Sequence, residues 1–477
     1  MNYIYRIFFI AIIIMGVSSC EEEIALPDNL VEFESDQLGL LSTETELNIN
    51  IAFSRAISQA GSIVLNATLT GLEYGSDFTT DPAIVDNKLT LQVTAGAAST
   101  SFKLIKANGA TFLGDEQIKF SIESVSESIV LGGKKELTIT FAEIIATLGS
   151  LAPNVGGEQQ PNKVFIDLSG NRQSFISRSG WDLGFNTDSD KFRVIINSSS
   201  GMLARVTTKT DMNAVSASDT VGLGNKLSLP AIFAALFGPP PSWLSETIGW
   251  IDDPAGSLST TAIAEISATD ADNKVYIINR GKNPDGTERG WKKVRILRNG
   301  AGYTLQHADI AATSFTSVNV TKDNAYLFNY INFNSGLVEA EPKKDQWDIA
   351  FTVFTNTFPS DPSNPSSPLV PFEFKDYIIQ NRYEVETAQV LMSSVSYENF
   401  TEANLAGVTF STSQKAIGSN WRSIPSNSST PPSLRTDRFY IIKDAAGNIY
   451  KLKFTALTNA GVRGFPAFDF ALVVKGS

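Results

Sequence analysis

The sequence writes one five-residue pattern twice, as "WDLGF" from Trp181 to Phe185 and as "WDIAF" from Trp347 to Phe351. Side chains on a strand alternate between two faces, so Trp, the aliphatic residue and Phe would share one face. Asp182 and Asp348 would lie on the other, placed to cap a neighbouring turn. An aromatic and aliphatic face of that size stabilises by several kcal/mol when buried, which makes the pattern a core strand before anything else. The flanks repeat as well. "NKVFIDLSGNRQSF" precedes the first copy and "NKVYIINRG" with "RGWKKVRIL" follows it; "AYLFNYINFNSGLV" precedes the second and "DRFYIIKDAAGNIYKLKF" follows it. The interval from Trp181 to Tyr276 nearly equals that from Trp347 to Tyr440, so residues 162–318 and 319–477 read as two β-rich repeats.

Upstream, residues 30–147 alternate apolar and polar positions over short runs such as "ELNINIAF", "SIVLNATL" and "KLTLQVT", broken by turn residues at the spacing of a β-sandwich. The stretch 148–161 is rich in Gly, Pro and amides and reads as a linker. The expected fold is therefore all-β and mainly antiparallel, a sandwich followed by two β-rich repeats. One insertion departs from this: "LPAIFAALFGPPPSWLSETIGWIDD" predicts a short helix that Pro230 starts and Pro239–Pro241 stop. Phe233, Phe237 and Trp243 are its candidates for lining a pocket for a flat apolar ligand, with core cover or contact with a membrane partner as the alternative readings. "FPSDPSNPSSPLVP" in the second repeat reads as an exposed excursion.

The N-terminus carries Arg6, an apolar run from Ile7 to Met15, and small residues ending at Cys20. That run is short for a membrane span and long enough for a signal peptide over residues 1–19. The ending "VSSC" resembles a lipobox, which implies lipidation of Cys20, the sole cysteine, and an outer-membrane lipoprotein. Glu21–Glu23 open an acidic tether, residues 20–29, and resemble the signal that sends such lipoproteins to the cell surface.

The stretch from Gly71 to Val125 resembles a Calx-β or related immunoglobulin-like domain. The matching points are Gly75, Asp77 and Phe78, then Ala95-Gly96, then Gly114, Asp115 and Glu116. Calcium-binding members carry an acidic pair where this chain has Lys106 and Ala107, so the reading is a spacer without calcium. Residues from about 160 to 477 resemble the HmuY family, on the Trp-Asp motifs, "IGSNWR" (417–422) and the block from Asp437 to Phe454. The resemblance implies a mainly antiparallel hand-shaped fold that closes on haem for iron acquisition, an outer-membrane lipoprotein, and a TonB-dependent receptor that takes the haem on.

Haem-binding members hold the iron between a His pair or a Met pair. Here His307 is the only histidine, so an internal His pair is impossible, while a Met pair or a Met/His pair stays open. The candidates are Met202, Met212 and His307, with Met392 behind them. Each methionine has the alternative of a gap-filling core residue, and His307 that of a hydrogen-bonded structural one.

An enzyme is not expected. One histidine removes most Ser-His-Asp sites and every HExxH metal site; the one thiol is assigned to lipid; and no nucleophile elbow, phosphate loop or dinucleotide fingerprint is present. Acidic residues outnumber basic ones, 50 to 38, and no basic face stands out, which excludes nucleic acid as the expected partner. The rival to haem uptake is a surface display module for a glycan, a protein or another small molecule.

Overall fold

The computed structural model describes residues 28–40, 44–108, 110, 112, 116–126, 129–141, 146–223, 226–361, 363–423 and 432–476. The signal segment 1–19, Cys20, most of the acidic tether, Gly114 and Asp115 lie outside the described residues. The chain falls into two compact units, one of residues 1–36 with 43–139 and one of 37–42 with 140–477. Among the described residues no helix is long and apolar enough to cross a membrane.

The first unit is a sandwich of two sheets. One runs in the order Phe78–Asp81, Ser99–Lys106, Glu46–Phe53, Asn29–Phe33, Ile129–Leu131, and the other contains Glu136–Thr140, Gln117–Val125, Gly61–Thr70 and Lys88–Val93 as neighbours. The alternation in "ELNINIAF" is realised residue by residue: Leu47, Ile49, Ile51 and Phe53 are buried and the positions between them are not. Phe102 of the first sheet meets Phe120 of the second edge-to-face at 5.0 Å, which joins the layers. Asp77 Oδ2 accepts from Glu73 N at 2.7 Å and Gly75 has φ of 91°, so this turn needs its glycine.

Every strand pairing given for the second unit is antiparallel. Two sheets enclose one core: Leu148–Leu151, Val462–Val474, Ile449–Asn459, Arg438–Lys443 and Glu386–Leu391 in order, facing Arg172–Ser177, Asn162–Asp167, Ile349–Pro359 and Leu369–Gln380. Two others enclose a second core: Val194–Ile196, Leu183–Asn186, Phe328–Asn332 and Gly336–Val338, facing Leu203–Val206, Tyr276–Asn279, Trp291–Asn299, Gly302–Asp309 and Thr316–Val320. Leu148–Leu151 falls in the expected linker yet is a strand, because its backbone pairs with Phe468–Ala471 at the sheet edge. Composition alone does not reveal such a partner.

The motif strands pair across the expected repeats. Ile349 and Ala350 pair with Ile166 and Phe165, and Leu183 and Gly184 pair with Ile331 and Tyr330. Each motif strand therefore lies beside the strand that precedes the other motif, in matching register. The expectation that Trp shares a face with the aliphatic residue and the Phe of its motif fails in both copies. Leu183 and Phe185 enter one core while Trp181 packs with Ile195, Phe328 and Tyr330; Ile349 and Phe351 enter another while Trp347 packs with Phe165, Phe354 and Tyr377. The reason is that the strands begin only at Leu183 and Ile349. Each Trp precedes its ladder and turns to the opposite side.

The insertion forms the α-helix Leu229–Ala234, with Ser228 Oγ accepting from Ala231 N at 3.2 Å and Pro230 in its first turn. A 3₁₀ turn, Ala235–Phe237, and a second one, Ser242–Trp250, flank the proline run.

Candidate functional site

The two motifs place their carboxylates alike. Asp182 Oδ2 accepts from Phe333 N and Asp348 Oδ2 accepts from Leu168 N, both at 2.8 Å, so each stops the strand borrowed from the other half. Asn197 and Asn381 repeat the agreement, donating from Nδ2 to the carbonyls of Trp181 at 2.8 Å and of Trp347 at 2.7 Å. Trp181 meets Tyr330 edge-to-face at 4.8 Å, and Trp347 meets Phe165 likewise at 5.1 Å.

The surroundings then diverge. Arg280 grips Asp182 with two parallel bonds of 2.9 Å, and Arg289 Nη2 adds a third at 2.8 Å. Gly281 supports this grip at φ of 70°, where a Cβ would fall 1.8 Å from Ser200 O. The place of Arg280 in "YIINRG" is taken in "YIIKDA" by Asp444. Burial pushes the Asp348 carboxyl well above the usual carboxylate range, and the neighbouring Asp167 and Asp444 carboxylates push it further. Burial raises Asp444 as well.

Between the two motif tryptophans lies a narrow cavity of about 50 Å³, lined by Lys163, Trp181, Glu341, Trp347 and Arg382 among others. Burial lowers Lys163 to about 8 and raises Glu341, while Asp252 rises to about 6 for the same reason. A larger, open cleft of about 380 Å³ lies beside the inserted helix, with Leu229, Pro230, Phe233 and Phe372 as its apolar wall and Lys282, Glu288 and Glu373 at its polar side.

Of the pocket candidates, only Phe233 lines this cleft, 5.6 Å from Phe372. Phe237 stacks edge-on against Phe233 and is 78% exposed. Trp243 lies flat against Trp250 at 6.3 Å instead. The three candidate iron donors do not converge. Met202 is buried in the core with Leu183 and Phe185 and also lines the narrow cavity, and Met212 is buried in a separate core with Leu203 and Ile232. His307 is buried on the strand Gly302–Asp309, tilted over Phe333 at 5.2 Å, and burial with the nearby Lys292 ammonium holds it below its ordinary value. Met392 packs beside Ala388 and Phe439. As placed, the methionines fill cores and none of the four offers a donor to the open cleft. Sequence reasoning missed Arg280, Arg289, Lys163, Glu341 and Arg382; the "NRG" against "KDA" difference between the repeated blocks was the available signal.

A family model described as HmuY protein matches residues 159–470. No match was found among curated proteins. Among solved structures, the apo-form Calx CBD1 domain is 18% identical, covering 24% of this chain and 97% of that one at a TM-score of 0.21. A two-domain protein of unknown function from Bacteroides fragilis is 11% identical, covering 38% of this chain and 71% of that one at a TM-score of 0.18. The first of these likenesses falls in the N-terminal part of the chain and is one of fold at low identity.

Proposed function

The chain belongs to the HmuY family, a family of non-enzymatic haem-binding proteins of iron acquisition, and from that premise we propose that it is a cell-surface lipoprotein that takes up haem and passes it to an outer-membrane receptor. Family membership over residues 159–470 is the observation that carries this reading. Cys20 is the lipid attachment point, the acidic tether directs display at the surface, and the receptor is of the TonB-dependent kind. The cleft beside Phe233 and Phe372 is the haem site, since it is open, apolar on one wall and charged on the other. The donors Met202, Met212 and His307 do not fit an axial pair, so ring contacts in the cleft hold the ligand and no internal Met/His pair is required.

A haemin titration of the chain tests this. The expected result is a saturable Soret shift, weakened in Phe233→Ala and Phe372→Ala and retained in Met202→Leu. An unchanged spectrum at micromolar haemin would transfer the assignment to the second reading, a display module for a glycan, a protein or another small molecule. The burial of all three candidate donors is what favours that second reading. Anchoring has its own check: Cys20→Ala should release the protein from the membrane fraction.

A further inference from the structure

We propose that the tip of the insertion, Ala234 and Phe237 with the turn from Gly238 to Pro240, is a lipid-contacting element that dips into the surface of a bilayer. From Leu227 to Ser245 the chain carries no charged residue, although 18% of the protein is charged, and from Leu229 to Pro241 it carries no polar side chain. A helix that is apolar all round belongs in a core or in lipid. This one has a core on one side only. Ile232 is buried, and Leu229, Ala235 and Leu236 pack beside it on the core of Leu203, Met212 and Leu244. The other side stays open, with Phe233, Ala234, Phe237, Gly238, Pro239 and Pro240 exposed. Phe237 is 78% exposed, and among the described residues no other phenylalanine exceeds the 45% of Phe233.

A bilayer fits this surface better than a protein does. Protein interfaces carry about one hydrogen bond per 100–200 Å². The tip has little to exchange in that way, with no polar side chain and, at Pro239 and Pro240, no backbone N–H. Hydrocarbon sets the same condition, because it pairs with no polar group. The helix meets it within itself, Ala235 N donating to the Ala231 carbonyl. Behind the tip stand the residue types of a membrane interface. Trp243 stacks on Trp250 at 6.3 Å, with the Lys226 ammonium 6.0 Å from the Trp243 ring and the Arg205 guanidinium 5.8 Å from the Trp250 ring. Glu246, the nearest carboxylate along the chain, is paired with Arg205 Nη2 at 3.3 Å. Phe237 takes no part in lining the cleft, where Lys282, Glu288 and Glu373 stand, so the tip does not depend on the ligand held there. The proposal rests on the anchoring half of the proposed function. One aromatic tip is too small to hold the chain alone, so Cys20→Ala still releases it; the contact forms while lipid at Cys20 keeps the bilayer close.

The test uses the full lipid-bearing chain in vesicles of phosphatidylethanolamine and phosphatidylglycerol. Cys20 is the sole cysteine and is blocked by its lipid, so Ala234→Cys supplies one thiol for a nitrobenzoxadiazole dye. The dye should brighten and shift to the blue on the vesicles, and be quenched by lipids spin-labelled high on the acyl chain. The same dye at Leu337→Cys, a position 58% exposed on another sheet, should stay in water. Adding Phe237→Ser should lower the inserted population at least about tenfold, the loss of one aromatic side chain from lipid. Its side chain covers little of the core, so folding survives the change. Sedimentation with the vesicles reads the anchor and the dye reads the tip, so the two can fail separately. A chain that pellets with its dye still in water overturns the tip and leaves the anchor; a chain that neither pellets nor shifts overturns both. Quenching undiminished in Phe237→Ser also overturns the proposal. A blue shift of the Cys20→Ala chain that grows with its concentration in plain buffer would give the face to a second copy instead.

Discussion

Asp182 and Asp348 stand in the same place in two copies of one motif, and they are held in opposite ways. Both terminate a strand lent by the other half, and both are buried. Asp182 meets two guanidinium groups, whereas Asp348 meets two further carboxylates. The shared feature is therefore the backbone N–H that each oxygen accepts. The charge partner is a local choice, set by Arg280 in one copy and Asp444 in the other. A motif that survives such a change of partner serves the backbone first.

Substitutions can separate the two contributions. Asp182→Asn should have the largest effect: it keeps an acceptor for Phe333 N but leaves Arg280 and Arg289 buried without a counter-charge, costing about 3–5 kcal/mol in urea unfolding. An intermediate and equal loss is expected for Asn197→Ala and Asn381→Ala, about 2–3 kcal/mol each, because both amides satisfy two carbonyls and one N–H. A large inequality between these two would show that the copies differ in more than charge. Asp348→Asn should do least, lying within about 1 kcal/mol of the parent, since the amide keeps an acceptor for Leu168 N and puts no charge beside Asp167 and Asp444.

The pH dependence has a definite sign. A carboxyl raised on folding binds its proton more tightly in the folded state. Its contribution is fully present below the ordinary carboxylate range and is lost as pH rises through the raised folded value. The parent should therefore lose stability relative to Asp348→Asn as pH climbs above the ordinary carboxylate range of about 4, while the difference vanishes at the acid end. A flat difference across that range would sink the account of Asp348.

Much of the fold was legible because it is local. Alternation placed the sandwich strands, Pro230 placed the start of the short helix, and the repeated pattern marked two equivalent strands. The turned-away tryptophans were not legible, since period-two reasoning assumes a strand that starts at Trp, and the ladders begin two residues later. Nor was the edge strand Leu148–Leu151, whose partner lies at the far end of the chain. The site was less readable still. Met202 and Met212 look available as sulfur donors until tertiary packing puts each in its own core. Lys163 looks like a surface lysine until Trp347 covers it. Gly184 was also silent: a Cβ there would sit 2.9 Å from the Tyr330 ring, while Ala350 stands at the equivalent place.

The exchange of strands between the halves sets an order of assembly. Asn162–Asp167 leaves the ribosome long before Ile349–Pro359, and Leu183–Asn186 long before Phe328–Asn332, so neither early strand can complete its sheet on emergence. The second unit must wait, with open edges, until both halves are present. A chain cut after residue 318 would keep those edges exposed and be prone to pair with its own kind. Folding of this protein thus depends on holding a half-made body apart from its neighbours until its other half arrives.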